Sequence, residues 1–304
     1  MNILLHLLTP ALIGIVAVFL SIVWMLRNEK DRTRPLLVFA LILNLFYGYL
    51  LTVLMGRENS LLPMKFDYVL AHMDSALGVS AAEIALQLQN VWRIPLFVIY
   101  QLMIPMMIVW FLATSDLERR KSLVLAYVAE LVAGPVIYAI LPACGPVYAF
   151  GAQWLHPPVV PAQAIQFSGM PNAFPSLHVG TAFVLLLFAT GRLRWAIALA
   201  FLAATALATL ATGEHFVIDL IPGLVFGCFA ANAGLRRIRS ALFFLGVVLC
   251  WSLSVRFGFG VLIANPALVK TLAGLTIGLA AWEVIREWMH SGDLSASQKA
   301  AELI

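Results

Sequence analysis

Two short segments of the chain carry side chains that can do chemistry together. "FPSLHVG", Phe174 to Gly180, sets His178 just behind a Pro-Ser pair, and "LATGEHFVIDLIPG", Leu210 to Gly223, sets His215 four residues before Asp219. On one helical turn, side chains at that spacing share a face. A carboxylate placed there can hold one ring nitrogen of the imidazole and leave the other free to attack. Pro175 suits a first helical turn, where its missing N–H costs nothing, with Asn172 or a neighbouring backbone group as the cap. The unpaired amides around Ser176 and Leu177 can then receive an anion, and His178 sits beside it. The two histidines and Asp219 also make up a two-histidine, one-carboxylate set of metal-binding type. Ser176 near a His and an Asp raises serine-hydrolase chemistry, but there is no G-x-S-x-G elbow, and a helix entrance after Pro175 better matches anion binding.

The elements that must position these residues are membrane helices. The 304 residues are 62% hydrophobic and only 11% charged, whereas a soluble domain carries about 25% charged residues. Apolar runs long enough to cross a hydrocarbon core, about 20 residues each, fall near 3–26, 36–56, 95–114, 122–141, 174–190, 195–213, 216–234, 240–260 and 268–286. The expected fold is therefore all-α, a polytopic bundle of about nine transmembrane helices. Lys and Arg accumulate in alternate connections, "LRNEKDRTR" at 26–34, "DLERRK" at 116–121, "GRLR" at 191–194 and "RRIR" at 236–239, which together hold 12 of the 19 basic residues. All four fall on one side of a nine-span chain, which makes that side cytoplasmic. The N-terminus is then outside and the polar tail 291–304 inside. His178 and the His215/Asp219 pair come to one level at the outer face, as expected for a bacterial inner-membrane protein whose site faces the periplasm.

The first span, from about Ile3, has no basic segment before it and no clear small-residue cleavage site, so it reads as a retained helix. Cys144, Cys228 and Cys250 are scattered and form no disulfide framework or metal cluster. The excess of 19 basic over 15 acidic residues comes with no basic stripe interleaved with aromatics, so nucleic acid is not an expected partner. The outer segment Arg57 to Arg93 alternates apolar and polar residues at helical spacing and is expected to lie along the interface as an amphipathic helix. The second outer connection, 141–173, is broken into turns by proline and glycine. Such non-helical apolar chain is tolerated near a membrane only when packed on protein or held at the interface.

"FPSLHVG", followed after one helical hairpin by "TGEHFVIDLIPG", resembles the second and third signature segments of the type 2 phosphatidic acid phosphatase (PAP2) superfamily. The closest likeness is to its inositol phosphorylceramide synthase-like branch, which pairs a Pro-Ser-x-His with a His-x-x-x-Asp. "LPACGPVYAFG", Leu141 to Gly151, is similar to a loop of that branch, and the resemblance covers roughly residues 130–235. It implies a six-helix catalytic core and a reaction without metal or other cofactor. His215 would be the nucleophile that becomes a phosphohistidine, Asp219 would orient it, and His178 would protonate the leaving oxygen. Water or a second substrate's hydroxyl would then take the phosphoryl group. An attacking imidazole does need an orienting partner and the leaving oxygen a separate acid, while helix-end amides around Ser176 can stabilise charge on the phosphorus-bound oxygens.

The chain departs from the superfamily pattern where ordinary phosphatase members carry a Ser-Arg pair: Ala208 and Thr209 stand at that spacing. The phosphate then needs another cation. Arg93 before the third span, Arg256 in the outer third of the eighth and Lys65 in the first outer loop are the candidates by depth, with snorkelling or structural pairing the alternative for Arg256. Asp74 is expected to pair with a basic residue, Glu214 to tune or cap the catalytic turn, and Glu130 to be neutral or hydrogen-bonded. The expected organisation is N-terminal helices and an outer amphipathic segment over 1–94, the catalytic membrane domain with extra C-terminal helices over 95–290, and the tail. The expected partners are the bilayer, a phosphorylated lipid substrate and a second lipid alcohol as acceptor, so that a headgroup is transferred. Hydrolysis of a lipid phosphate or polyprenyl diphosphate is the alternative. A non-enzymatic lipid transporter is a third class, for which no inverted repeat with interrupted helices is present.

Overall fold

The computed structural model describes residues 61–88, 92–169 and 171–301, with the isolated positions 23, 35, 38, 39 and 42 before them. The expected spans at 3–26 and 36–56 lie outside the described residues apart from those positions. The other seven expected spans each contain helix, and the protein is an all-α membrane helix bundle.

In chain order the helices are α1 (Asp67–Leu77), α2 (Ala81–Leu88), α3 (Arg93–Gln101), α4 (Met103–Ala113), α5 (Leu117–Ile140) and the short α6 (Pro146–Phe150). There follow α7 (Leu177–Leu187), α8 (Arg192–Ala211), α9 (Val217–Gly234), α10 (Ile238–Ala264) and α11 (Pro266–Ala301). Among them α5, α8, α9, α10 and the stretch Pro266–Met289 of α11 are long and apolar enough to cross a bilayer. The third expected span is a bent pair, Ile94–Gln101 and Met103–Ala113, at 54°. Pro105 accounts for the bend: its ring clashes with the carbonyl four residues back, at Gln101, and it offers no N–H.

Two expectations change. The fifth span, expected over 174–190, is a helix of only 11 residues, about 16 Å long. It does not need to meet lipid along its length, because every residue from Val179 to Leu187 is buried among its neighbours. The outer amphipathic segment is also not one interfacial helix. It forms α1 and α2, at 79° to one another, separated after the left-handed Gly78 (φ 82). Phe66, Val69, Leu70 and Met73 are buried, an i, i+3, i+4, i+7 stripe that docks α1 on α9, α10 and α11. Burying that stripe in protein removes more apolar surface from water than laying it on the headgroups. A two-stranded antiparallel ladder, β1 (Met64–Lys65) with β2 (Ile165–Gln166), ties the start of this segment to the second outer connection.

The centre of the bundle is α9, which packs on α5, α7, α10 and α11. Its contact with α7 is backbone to backbone. A Cβ at Gly223 would lie 2.8 Å from the Ser176 carbonyl oxygen, and one at Gly227 2.6 Å from that of Gly180. No side chain fits there, so these glycines bring the start of α7 against the middle of α9.

Among the described residues, the basic connections at 116–121, 191–194 and 236–239 gather at the opposite end. Arg119 donates from Nε and Nη2 to the Phe188 and Leu187 carbonyls that close α7, both at 3.4 Å, where cations are favoured by the helix dipole. Arg194 donates to the Thr190 hydroxyl, and Arg237 pairs with Glu287 of α11.

Candidate active site

His178 is the second residue of α7, and its ring stacks on Tyr100 of α3 with centroids 4.1 Å apart at 22°. The His215 ring lies in the turn between α8 and α9, 6.1 Å from that of His178 and at 65° to it. The two segments chosen from the sequence therefore meet. At this separation both rings can touch opposite atoms of one phosphate group.

The surroundings of His215 settle its proton. Nδ1 is 2.8 Å from the carbonyl oxygen of Ala173. A carbonyl only accepts, so Nδ1 carries the hydrogen and Nε2 keeps the lone pair. Burial pushes the imidazole down to about 4 against the opposing pull of that hydrogen bond, which leaves the ring neutral and nucleophilic near neutral pH. Asp219, expected to hold the ring, has its Oδ2 3.7 Å from Nδ1 but accepts a hydrogen bond from the Phe216 amide at 2.8 Å. It stands three residues into α9 and reaches back to the cap, as in half of a capping box. Orientation of the ring thus comes from Ala173, and Asp219 adds a carboxylate within ion-pair distance and fixes the next residue of the turn.

The backbone around this pair is pinned by further carboxylates. Asp74 accepts from the amides of Val217 (2.9 Å) and Ile218 (2.8 Å), the start of α9. It pairs with helix-terminal amides rather than with a basic residue, because an N-terminus offers unpaired donors and the positive end of the dipole. Asp67 accepts from the amides of Cys144 (2.9 Å) and Gly145 (2.7 Å). That fixes the "GPVYAF" loop, whose Val147 amide donates to the Gly213 carbonyl at 2.9 Å. Gly145 has φ 101, and a Cβ there would lie 2.2 Å from the Glu214 carbonyl oxygen, so no other residue fits. The Glu214 side chain accepts from the Tyr148 hydroxyl at 3.2 Å. Burial pushes Glu214 up to about 7, with the Tyr148 hydrogen bond opposing, and raises the Tyr148 phenol as well, helped by the Glu214 charge. Glu130, in the middle of α5, accepts from the Thr181 hydroxyl at 2.8 Å.

The remaining expected site residues divide. Ser176 is fully buried and is the N-cap of α7. Its hydroxyl oxygen accepts from Val179 at 3.4 Å, and its amide donates to the Asp219 carbonyl at 3.1 Å. Pro175 therefore precedes the cap instead of occupying the first turn, and Ser176, not Asn172, is the capping side chain. The first-turn amides of Leu177 and His178 have no partner within the helix. Lys65 is fully buried and donates to the Leu62 carbonyl. Arg256 donates to the Ile140 carbonyl, and at 3.4 Å to that of Ala139, closing the C-terminus of α5, with Phe66 and Phe257 rings beneath it. Arg93 opens α3, two turns before Tyr100, and its side chain lies outside the described residues. Among the described residues, no three His, Cys, Asp or Glu side chains converge as metal ligands.

Tyr100, Asp67 and the Ala173 carbonyl were not singled out from the sequence. Asp67 and Asp74 did carry a signal: they lie seven apart, next to the apolar stripe of α1, where an acid must find donors or stay out of the core.

An all-helical membrane bundle that brings two imidazoles together at a turn pinned by buried carboxylates is the frame of a phosphatase-type membrane enzyme. The family model described as the PAP2 superfamily matches residues 68–233, more than half of the chain, from α1 to the end of α9, and the chain belongs to that superfamily. Membership carries lipid phosphatase or phosphotransferase-type activity on a phosphorylated lipid. No curated protein and no solved structure matches the chain.

Proposed function

We propose that the protein transfers a phosphorylated headgroup from one lipid to the hydroxyl of another, through a phosphohistidine on His215, at the outer membrane face. The observation that carries this is the 2.8 Å contact of His215 Nδ1 with the Ala173 carbonyl, which leaves Nε2 free and aimed by a fixed ring. Nε2 attacks phosphorus. The bond to the leaving oxygen breaks, and protonated His178 gives that oxygen its proton. Asp219 offsets the positive charge that His215 acquires, and the amides of Leu177 and His178 receive the phosphoryl oxygens. The acceptor hydroxyl then attacks phosphorus, gives its proton to His178 and returns the electron pair to Nε2.

Transfer is favoured over hydrolysis by two features of the sequence. The "GPVYAF" loop resembles the inositol phosphorylceramide synthase-like branch, and Ala208 and Thr209, buried on α8, stand where ordinary phosphatases carry a Ser-Arg pair. The test compares wild type with His215→Ala on headgroup-labelled phospholipid, with ceramide or diacylglycerol as acceptor. Loss of turnover by about a thousandfold or more and acid-labile label on His215 are expected. Unchanged turnover in a folded His215→Ala defeats the nucleophile, and release of inorganic phosphate alone from a broad lipid panel selects the phosphatase reading.

A further inference from the structure

We propose that Glu214 and Tyr148 form the binding site for the acceptor hydroxyl, an inference that rests on the transfer reading above. The Tyr148 hydroxyl donates to Glu214 Oε1 at 3.2 Å. Tyr148 is 42% exposed, whereas Glu214 is half-buried and adjoins His215. The pair thus reaches the surface through Tyr148 and is joined through Glu214 to the next residue of the chain, the nucleophile. Tyr100, which stacks on His178, also feels the charge of Glu214 and the phenol of Tyr148, which supports a place for the pair on the His178 side of the site.

That side is where an acceptor must arrive. In-line displacement at phosphorus puts the entering oxygen opposite the bond that breaks, and on a phosphohistidine that bond is to His215. The acceptor oxygen thus takes the place the leaving oxygen held, beside His178. With Oε1 engaged by Tyr148, Glu214 Oε2 accepts the hydrogen bond of the incoming O–H and turns its lone pair toward phosphorus. When the new P–O bond forms, the P–Nε2 bond breaks and the electron pair returns to His215. The hydroxyl proton passes to the His178 ring, so Glu214 orients the acceptor and is not consumed as the base.

The pair is also held rigidly, as a positioning device requires. Tyr148 rides on a loop fastened at Gly145 by Asp67 and at Val147 by the Gly213 carbonyl. Gly145 packs directly on the Glu214 backbone. Neither partner can drift without breaking these contacts.

The experiment measures the ratio of transfer to hydrolysis in the full-length protein in mixed micelles. Phosphatidylinositol tritiated in its headgroup is the donor and a short-chain ceramide the acceptor, for wild type, Tyr148→Phe, Glu214→Gln and His215→Ala. A hydrogen bond to a charged group lost from the acceptor reduces the transfer-to-hydrolysis ratio by about tenfold or more, and raises the KM for ceramide in both single variants. A purely structural role lowers both products together and leaves the ratio and the ceramide KM unmoved, which overturns the proposal. A wild type that makes only the hydrolysis product with ceramide present overturns it as well. If His215→Ala retains turnover, or wild type turns over neither way, the transfer reading fails and takes the acceptor site with it. An inactive His215→Ala with unchanged ratios in the other two fails the acceptor site alone.

Discussion

Replacing Asp219 by asparagine separates two roles that a carboxylate near a catalytic histidine can play. The ring of His215 is already oriented through Nδ1 by the Ala173 carbonyl at 2.8 Å, and Asp219 Oδ2 stands 3.7 Å from the same nitrogen. Asparagine keeps the shape and an oxygen for the Phe216 amide, and removes the charge. A unit negative charge 3.7 Å from a ring that becomes positive is worth about 4 to 5 kcal/mol at an effective dielectric near 20. If the full charge develops on the ring, that is about a thousandfold in rate. The expected outcome is a drop of about that size in the single-turnover rate of leaving-group release, with donor KM little changed, since the interaction grows only as the P–N bond forms. Thermal unfolding in detergent checks that Asp219→Asn is folded. A folded variant within about tenfold of wild type, beside an inactive His215→Ala, would refute the electrostatic role and leave Asp219 as a helix cap.

Three further outcomes follow from the same contacts. Asp74→Asn keeps one oxygen for the two amides of Val217 and Ile218, and the loss of one charge-assisted hydrogen bond should lower unfolding stability by about 2 kcal/mol, read as a lower melting temperature; a shift within error would show that the amides find other acceptors. Arg256→Met frees the α5 carbonyls, so it should lower stability and leave the donor KM unchanged, whereas a tenfold rise in KM at unchanged stability would return this arginine to phosphate binding. Glu214 is raised in the fold from 4.5 to about 7, so the folded state holds its proton more tightly than the unfolded chain does. Its contribution is complete below about pH 4.5 and is lost as pH rises through about 7, following linkage; Glu214→Gln should flatten the melting-temperature profile across that window, and identical profiles would refute it.

The legible parts of this protein are those written in local pattern. Apolar length located helix in each of the seven expected spans within the described residues, because the length of an apolar run follows from the bilayer and not from tertiary detail. The pairing of His178 with the His215 segment followed from the expected topology. The shortness of α7 did not, since a run of apolar residues reads alike whether lipid or protein covers it. Helix periodicity marked α1, but periodicity has no term for what the stripe packs against. The Ala173 carbonyl that aims His215 was beyond reach, because a backbone acceptor 42 residues away leaves no trace in residue type. Lys65 and Arg256 show the same limit from the other side. Depth and charge nominated them for phosphate, whereas their bonds to backbone carbonyls at a loop and a helix end leave no trace in residue type.

The hydrogen on His215 Nδ1 has a chemical consequence for whatever forms there. Phosphohistidine exists as two regioisomers, and a ring whose Nδ1 is tied to a main-chain oxygen can yield only the one substituted at Nε2. The adduct trapped from this enzyme would therefore be a single isomer, distinguishable by the two-bond phosphorus couplings of its ring. It would also be short-lived in acid and durable in alkali, which fixes how the protein must be quenched for the adduct to be seen at all.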